Sequence, residues 1–319
     1  MNDLHPGTPR RSPAPSKFRR VLITGCGGML GSALYPEFSA RFPLVLASDR
    51  VVSEPWLAAL DVTDAAGLAA AFELIRPDLV LHLAAETDLE YCERNEPLAE
   101  ATNHLATRMI AHLCAVRDID LVYISTAGVF DGQKSEPYTE DDAPNPLMVY
   151  GRTKFEGEQA VRAICERYYV VRAGWMIGGG HKDKKFVAKI IEQLNSGASV
   201  IHAVTDRFGA PTYTRDFSRT LLRLIETGAY GTYHMVCQGS GSRLDVAQAI
   251  IDHLGVDVRV EPVPSSFFDE RYFAPRPVSE IMVNARLAEL GIDSMRPWRE
   301  ALGEYLSCEF PSVSARPGK

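Results

Sequence analysis

Positive charge is in deficit in this chain of 319 residues: 34 Lys and Arg stand against 41 Asp and Glu, a net charge of −7. A protein that works on nucleic acid needs a basic surface to meet phosphates, so that class is set aside. Long apolar runs are missing as well. None approaches the roughly 18 residues that cross a bilayer, so no membrane span is expected. Cysteine pairs are absent: the six cysteines, Cys26, Cys92, Cys114, Cys165, Cys237 and Cys308, show no CxxC spacing. That removes the common zinc and dithiol motifs, and no metal is expected. Most of these cysteines lie in apolar stretches and read as buried free thiols, the usage of a cytoplasmic protein. No internal repeat is visible. Arg10-Arg11 is not followed by a separate apolar segment, so a twin-arginine signal is not read there. Residues 1–17, rich in Pro, Ser and Arg, are expected to form a disordered arm, and 311–319 a similar tail.

What is present is alternation. Apolar strands at Val21–Thr24, Leu44–Ser48, Leu79–Leu83, Leu121–Ser125 and Tyr168–Arg172 are divided by helical patterns at Met29–Arg41, Ala65–Arg76, Pro97–Val116 and Tyr150–Arg167. Strands without polar alternation, separated by amphipathic helices, specify a parallel sheet covered on both faces. Right-handed crossovers make it a doubly wound α/β sheet of the Rossmann type, here expected over 18–175. The second half is less regular. It carries helical patterns at Phe186–Leu194, Arg215–Glu226, Leu244–Leu254 and Trp298–Cys308, strands at Thr232–Val236 and Val258–Glu261, and a proline-dense loop from Pro262 to Pro277. Residues 176–310 are expected to form mostly a smaller C-terminal substrate lobe over the sheet's carboxyl edge, with some segments returning to the sheet.

Gly25, Gly28 and Gly31, with Met29 and Leu30 between the last two, fit GxxGxxG where the first strand turns into a helix. Backbone amides there can approach a pyrophosphate that side chains would block, and the helix N-terminus adds partial positive charge. Asp49 ends the second strand, where an acid binds adenosine ribose hydroxyls. Asp49 favours NAD, whereas Arg50 can pair with a 2′-phosphate, so NAD and NADP both stay open.

Tyr150 and Lys154 are four apart on a predicted helix and share a face. A free phenol titrates near pH ~10, and a close ammonium is expected to lower it toward use as an acid. Ser125-Thr126 ends the fourth strand, and hydroxyls there can bind a carbonyl oxygen.

With these motifs the chain resembles an extended short-chain dehydrogenase/reductase over roughly residues 20–308. More narrowly, it is similar to the dTDP-4-dehydrorhamnose reductases. The carrying segments are 83–88 (Leu-Ala-Ala-Glu-Thr-Asp), 124–132, Tyr150 to Lys154 with Glu156-Gly157-Glu158, Asp206 to Thr212, and Arg276-Pro277. The resemblance implies an NAD(P)H-dependent reductase of a nucleotide-activated 4-keto-6-deoxysugar. Tyr150 would protonate the sugar C4 oxygen, Lys154 would bind the nicotinamide ribose, and Thr126 would take the family's hydroxyl position. Asp61 and Val62 would meet the adenine; Leu83, Ala84 and Ala85 would line the middle of the cofactor. Glu86, Thr87, Trp175, Arg207 and Arg276 would face the nucleotide sugar, and a homodimer is expected. The chain departs from the family at Ala127-Gly128, where the reductases usually carry Asp-Tyr. An epimerase or dehydratase of nucleotide sugars is the alternative enzyme, and a regulatory subunit like that of methionine adenosyltransferase the non-catalytic one.

Other tempting residues read as structural. His82, His104, His112, His202 and His234 are expected in the core or on the surface. Lys182, Lys184 and Lys185 read as a solvated basic loop, as does the acidic run Glu140-Asp141-Asp142.

Overall fold

The computed structural model describes residues 17–311. Its strands are β1 (Arg20–Thr24), β2 (Leu44–Asp49), β3 (Leu57–Ala59), β4 (Leu79–His82), β5 (Asp120–Thr126), β6 (Tyr168–Ala173), β7 (Trp175–Ile177), β8 (Val200–Val204), β9 (Phe208–Gly209), β10 (Pro211–Tyr213), β11 (Gly231–Met235), β12 (Gly241–Ser242) and β13 (Arg259–Val263). Seven of them form one sheet in the order β11-β6-β5-β4-β1-β2-β3, all parallel. The order reverses between β1 and β4, and open α/β sheets bind ligands at the carboxyl end of such a switch point.

The helices are α1 (Met29–Arg41), α2 (Ala65–Ile75), α3 (Leu89–Arg94), α4 (Glu96–Ala99), α5 (Ala106–Ala115), α6 (Val149–Ile164), α7 (Phe186–Asn195), α8 (Thr214–Thr227), α9 (Arg243–Leu254), α10 (Ala285–Glu289) and α11 (Trp298–Glu309). Strand alternation divides them between two cores. Val21, Ile23, Leu81, Val122 and Val171 meet Leu34 and Phe38 of α1 and Phe217 and Leu221 of α8. Leu22, Val80, Leu121 and Val170 point the other way, onto Leu68 and Phe72 of α2, Ile110 of α5 and Val161 of α6. Among the described residues, no helix is long and apolar enough to cross a membrane.

Several expected boundaries move. The single helix expected over Pro97–Val116 is α4, a π-helical turn over Glu100–Leu105, and α5. The helix expected to reach Arg167 stops at Ile164, where Cys165 turns extended. Strand β3 and the short pairs β7–β10 and β9–β12 bring in segments too brief to show a period in the sequence, whereas the strand expected at Val258–Glu261 is β13, paired with β8. In the second half β11 rejoins the main sheet beside β6. The expected arm ends one residue early, since Lys17 Nζ bonds Asp120 Oδ2 at 2.7 Å and Tyr230 Oη at 2.9 Å. The rest of the arm, 1–16, and the tail 312–319 lie outside the described residues.

Candidate active site

The glycine turn is closed on two sides and open on the third. Gly25 has φ +68°, and a Cβ there would lie 2.4 Å from the Ala84 amide nitrogen. A Cβ on Gly31 would lie 2.2 Å from the Cys26 carbonyl oxygen. A Cβ on Gly28 would meet nothing nearer than the Gly25 carbonyl oxygen at 3.7 Å. Gly28 is also the N-cap of α1, which has no side-chain cap and no acid in its first turn. The amides at Met29 and Leu30 are therefore left to an anion, and a dinucleotide pyrophosphate fits this cradle. Leu30 itself is a core side chain, so only its backbone is available to a ligand. Leu83 N donates to Thr24 O at 3.1 Å and so lays the Leu83-Ala84-Ala85 segment against the turn.

Asp49 is already engaged with the backbone. Its Oδ2 accepts from Gly27 N at 2.9 Å and its Oδ1 from Val51 N at 3.2 Å, while Arg50 beside it is exposed. Asp61 accepts from the Thr63 hydroxyl at 2.6 Å and the Thr63 amide at 2.9 Å, which hold its carboxyl below the ordinary range, and Val62 is buried next to it.

The side chains expected to handle the proton lie at the end of β5 and in the first turns of α6. Thr126 closes β5, and its Oγ1 accepts from Gly128 N at 3.1 Å, capping a short 3₁₀ turn over Ala127–Val129. Ser125 turns away and donates to Glu158 Oε1 at 2.6 Å. Of the two hydroxyls, Thr126 is thus the one beside Tyr150. Burial pushes the Tyr150 phenol up to about 12, with a hydrogen bond to the Thr126 side chain pulling the other way. Lys154 sits with Nζ 4.1 Å from the centroid of the Tyr123 ring, and burial pushes it down to about 7, with Glu158 opposing. The expected acidification of Tyr150 by Lys154 is therefore corrected. Burial outweighs the lowering expected from Lys154, whose Nζ lies over the Tyr123 ring.

On the other side of Tyr150 stands a wall of charged side chains. Trp175 Nε1 donates to Glu280 Oε2 at 2.6 Å, and the Arg243 guanidinium lies 3.4 Å from the Trp175 ring centroid. Arg276 donates to Glu90 Oε1 at 2.7 Å and lies over Tyr272 at 5.4 Å. Glu280 is raised by burial and opposed by Arg243 and Arg276, which places the three in one field that also reaches Tyr150. Arg207 is held by Asp206, donating to its carbonyl at 2.7 Å, and its buried Nε has no partner. Trp175, Arg276 and Arg207 were singled out in the sequence; Arg243, Glu280 and Glu90 were not. No local spacing marks those three, since they come from α9, the loop before α10, and α3.

Further expectations change here. The Glu86 carboxylate accepts from the Thr87 and Asp88 amides at 2.9 and 3.1 Å, so it shapes its own loop. Thr87 receives Lys185 Nζ on its carbonyl at 3.1 Å. The basic loop is thus not simply solvated, and Lys182 pairs with Glu54 at 3.3 Å and lies over Trp56. Glu140 is buried and accepts from His234 N at 2.9 Å, so the acidic run is structural in part. His82 is wholly buried between Thr24 and Thr107. Glu100, His104 and Glu156 offer ligand atoms within 4.8 Å of one another, but His104 Nδ1 already meets Glu100 Oε1 at 2.6 Å.

A family model described as the RmlD substrate binding domain matches residues 19–309. The dTDP-4-dehydrorhamnose reductase of Mycolicibacterium smegmatis is 35% identical over 311 residues, covering 97% of this chain and 91% of that protein. Among solved structures, the dTDP-4-dehydrorhamnose reductase of Bacillus anthracis in complex with NADP has a TM-score of 0.83 at 32% identity, covering 91% of this chain and 99% of that one. Methionine adenosyltransferase 2 subunit beta of Xenopus laevis is 30% identical over 303 residues, covering 90% of this chain and 87% of that protein.

Proposed function

The chain belongs to the RmlD substrate binding domain family, and on that premise we propose that it is an NAD(P)H-dependent reductase of a dTDP-activated 4-keto-6-deoxysugar, with dTDP-4-dehydrorhamnose as substrate. The observation that carries the reading is the Tyr150 phenol hydrogen-bonded to the Thr126 side chain at the carboxyl end of β5, with Lys154 one turn along α6, in a chain whose glycine turn is open at Gly28. A nicotinamide cofactor, held by the amides at Met29 and Leu30 and by Lys154, would supply the hydride for the keto carbon. Tyr150 gives its phenolic proton to the keto oxygen, and Thr126 holds that oxygen with a second hydrogen bond. A phenol at about 12 keeps its proton until charge develops on the oxygen, which is the state a general acid needs at the start. Lys154, one turn along α6 from Tyr150, binds the nicotinamide ribose hydroxyls. Arg243 and Arg276 meet the diphosphate, and Trp175 lies against the sugar.

Tyr150→Phe is expected to lower turnover by about 10²–10⁴-fold while NADPH binding, read by fluorescence, is unchanged. Near-normal turnover in that variant would overturn the reading. The alternative is a non-catalytic regulatory subunit resembling that of methionine adenosyltransferase, in which the wild type would bind cofactor without oxidising NADPH on any dTDP-ketosugar.

For the cofactor, the Asp49 carboxylate is occupied by backbone amides and Arg50 is free to approach a 2′-phosphate. Both NADH and NADPH are expected to serve, with kcat/KM values within about tenfold of each other, at most roughly 1.4 kcal/mol, which assays with each cofactor test. A homodimer would bury Leu98 and Leu105, exposed at 37% and 40% on the helical stretch leading into α5. Light scattering of the purified chain tests it.

A further inference from the structure

Glu158 lies one turn beyond Lys154 on α6 and is wholly buried. Its carboxylate collects partners from three elements. Ser125 Oγ of β5 donates to Oε1 at 2.6 Å. Arg172 of β6 donates from Nε to Oε1 at 2.9 Å and from its second nitrogen to Oε2 at 2.8 Å. Arg162 of α6 donates to Oε2 at 2.8 Å. A forked arginine–carboxylate pair with both ions at 1% exposure or less is rigid, and it is costly to leave half-made. The strand residue that bonds it, Ser125, immediately precedes Thr126, and the helix that bears it carries Tyr150 and Lys154.

We propose that Glu158 is a positioning residue, a buried anion that locks the Thr126 strand end to the Tyr150–Lys154 helix and keeps the Lys154 amine protonated. The inference rests on the reading of Lys154 as the amine beside the reacting phenol. The groups around Lys154 single out Glu158 as its source of negative charge. His82 of β4 is neutral in its buried site, the Tyr123 ring of β5 presents its face, and Tyr150 holds its proton. Arg172 spends its charge on Glu158, on the Phe130 ring at 5.1 Å and on His234 at 3.4 Å. Burial acts against the Lys154 charge, and the Glu158 carboxylate is the group that acts for it.

The test follows Lys154 by carbon NMR in full-length protein labelled at lysine Cε, with the signal assigned by its loss in Lys154→Arg. In Glu158→Gln, which keeps the shape and removes the charge, the Lys154 midpoint is expected to fall by about one pH unit, a tenfold change in proton affinity. The alkaline limb of kcat for NADPH oxidation should move down with it, kcat should fall about tenfold and KM for NADPH should change little, whereas Glu158→Asp should recover part of kcat. Glu158→Gln combined with Arg172→Met removes the buried guanidinium along with its carboxylate and is expected to show a lowered midpoint, by less than the single variant, should the single variant fail to fold. A folded variant lacking the carboxylate in which Lys154 titrates as in the wild type would overturn the proposal. If the wild type reduces no dTDP-ketosugar, the reductase reading falls, and the Lys154 titration still decides this one.

Discussion

The proposed cofactor cradle and the proposed substrate wall are made of different materials. The cradle is backbone: glycines at 25, 28 and 31, the uncapped amides of α1, and the Leu83-Ala84 segment pressed against the turn. The wall is side chain: Trp175, Arg243, Arg276, Glu280 and Glu90, drawn from four separate stretches of sequence. A backbone site tolerates almost no added atom, because peptide groups cannot swing aside. A side-chain site loses one partner at a time and degrades by degrees.

Variants can break this contrast. The largest effect is expected for Gly31→Ala, whose Cβ would fall 2.2 Å from a carbonyl oxygen with no flexible group to yield. It should cost about 3 kcal/mol of stability, read by urea unfolding, and abolish NADPH binding. A variant as stable as wild type would show the cradle to be softer than its geometry. Next comes Arg243→Ala. It should raise KM for the dTDP-sugar by about 10–100-fold, roughly 1.4–2.8 kcal/mol, while the Kd for NADPH holds. Equal losses for both ligands would dissolve the distinction between cradle and wall.

Acid should strike both regions. His82, on the cradle side, is lowered to about 3 by burial, and His234, on β11, is lowered to about 3 by burial and by Arg172. The unfolded chain then binds protons that the native one refuses. Stability is complete above the ordinary histidine value and is lost as pH falls from about 6.5 toward 3, at roughly 1.4 kcal/mol per pH unit for each residue. His82→Gln should remove about half of that slope in unfolding measured across this window. The smallest change in stability belongs to Gly28→Ala, whose Cβ enters open space. The midpoint of unfolding should move by only a few tenths of a kcal/mol, yet NADPH binding should weaken clearly, since that space is where the pyrophosphate is proposed to lie. Unchanged binding would place the cofactor elsewhere.

The same contrast explains what was legible. The glycine turn, Asp49 at the end of β2, and Tyr150 with Lys154 are read from contiguous spacing, and the alternation of strands and helices foretells the parallel sheet. Strand β3 was missed because Leu57-Ala58-Ala59 has neither length nor β-branched residues. The π-helical turn at Glu100–Leu105 was missed because its composition is helical and only its hydrogen bonding differs. Lys182 and Lys185 looked solvated because charge alone does not reveal that Glu54 and Thr87 stand opposite.

Local chemistry, then, determined the doubly wound sheet, the dinucleotide turn and the phenol–amine pair, because each depends on residues within a few turns of one another. The tertiary structure alone decided that Ser125 serves a buried ion pair while its neighbour Thr126 serves Tyr150. It also decided that burial, not Lys154, governs the phenol, and that Glu280, Arg243 and Arg276 share one field. Those outcomes depend on which groups lose water together, a quantity with no representation along the chain until distant segments are packed against one another.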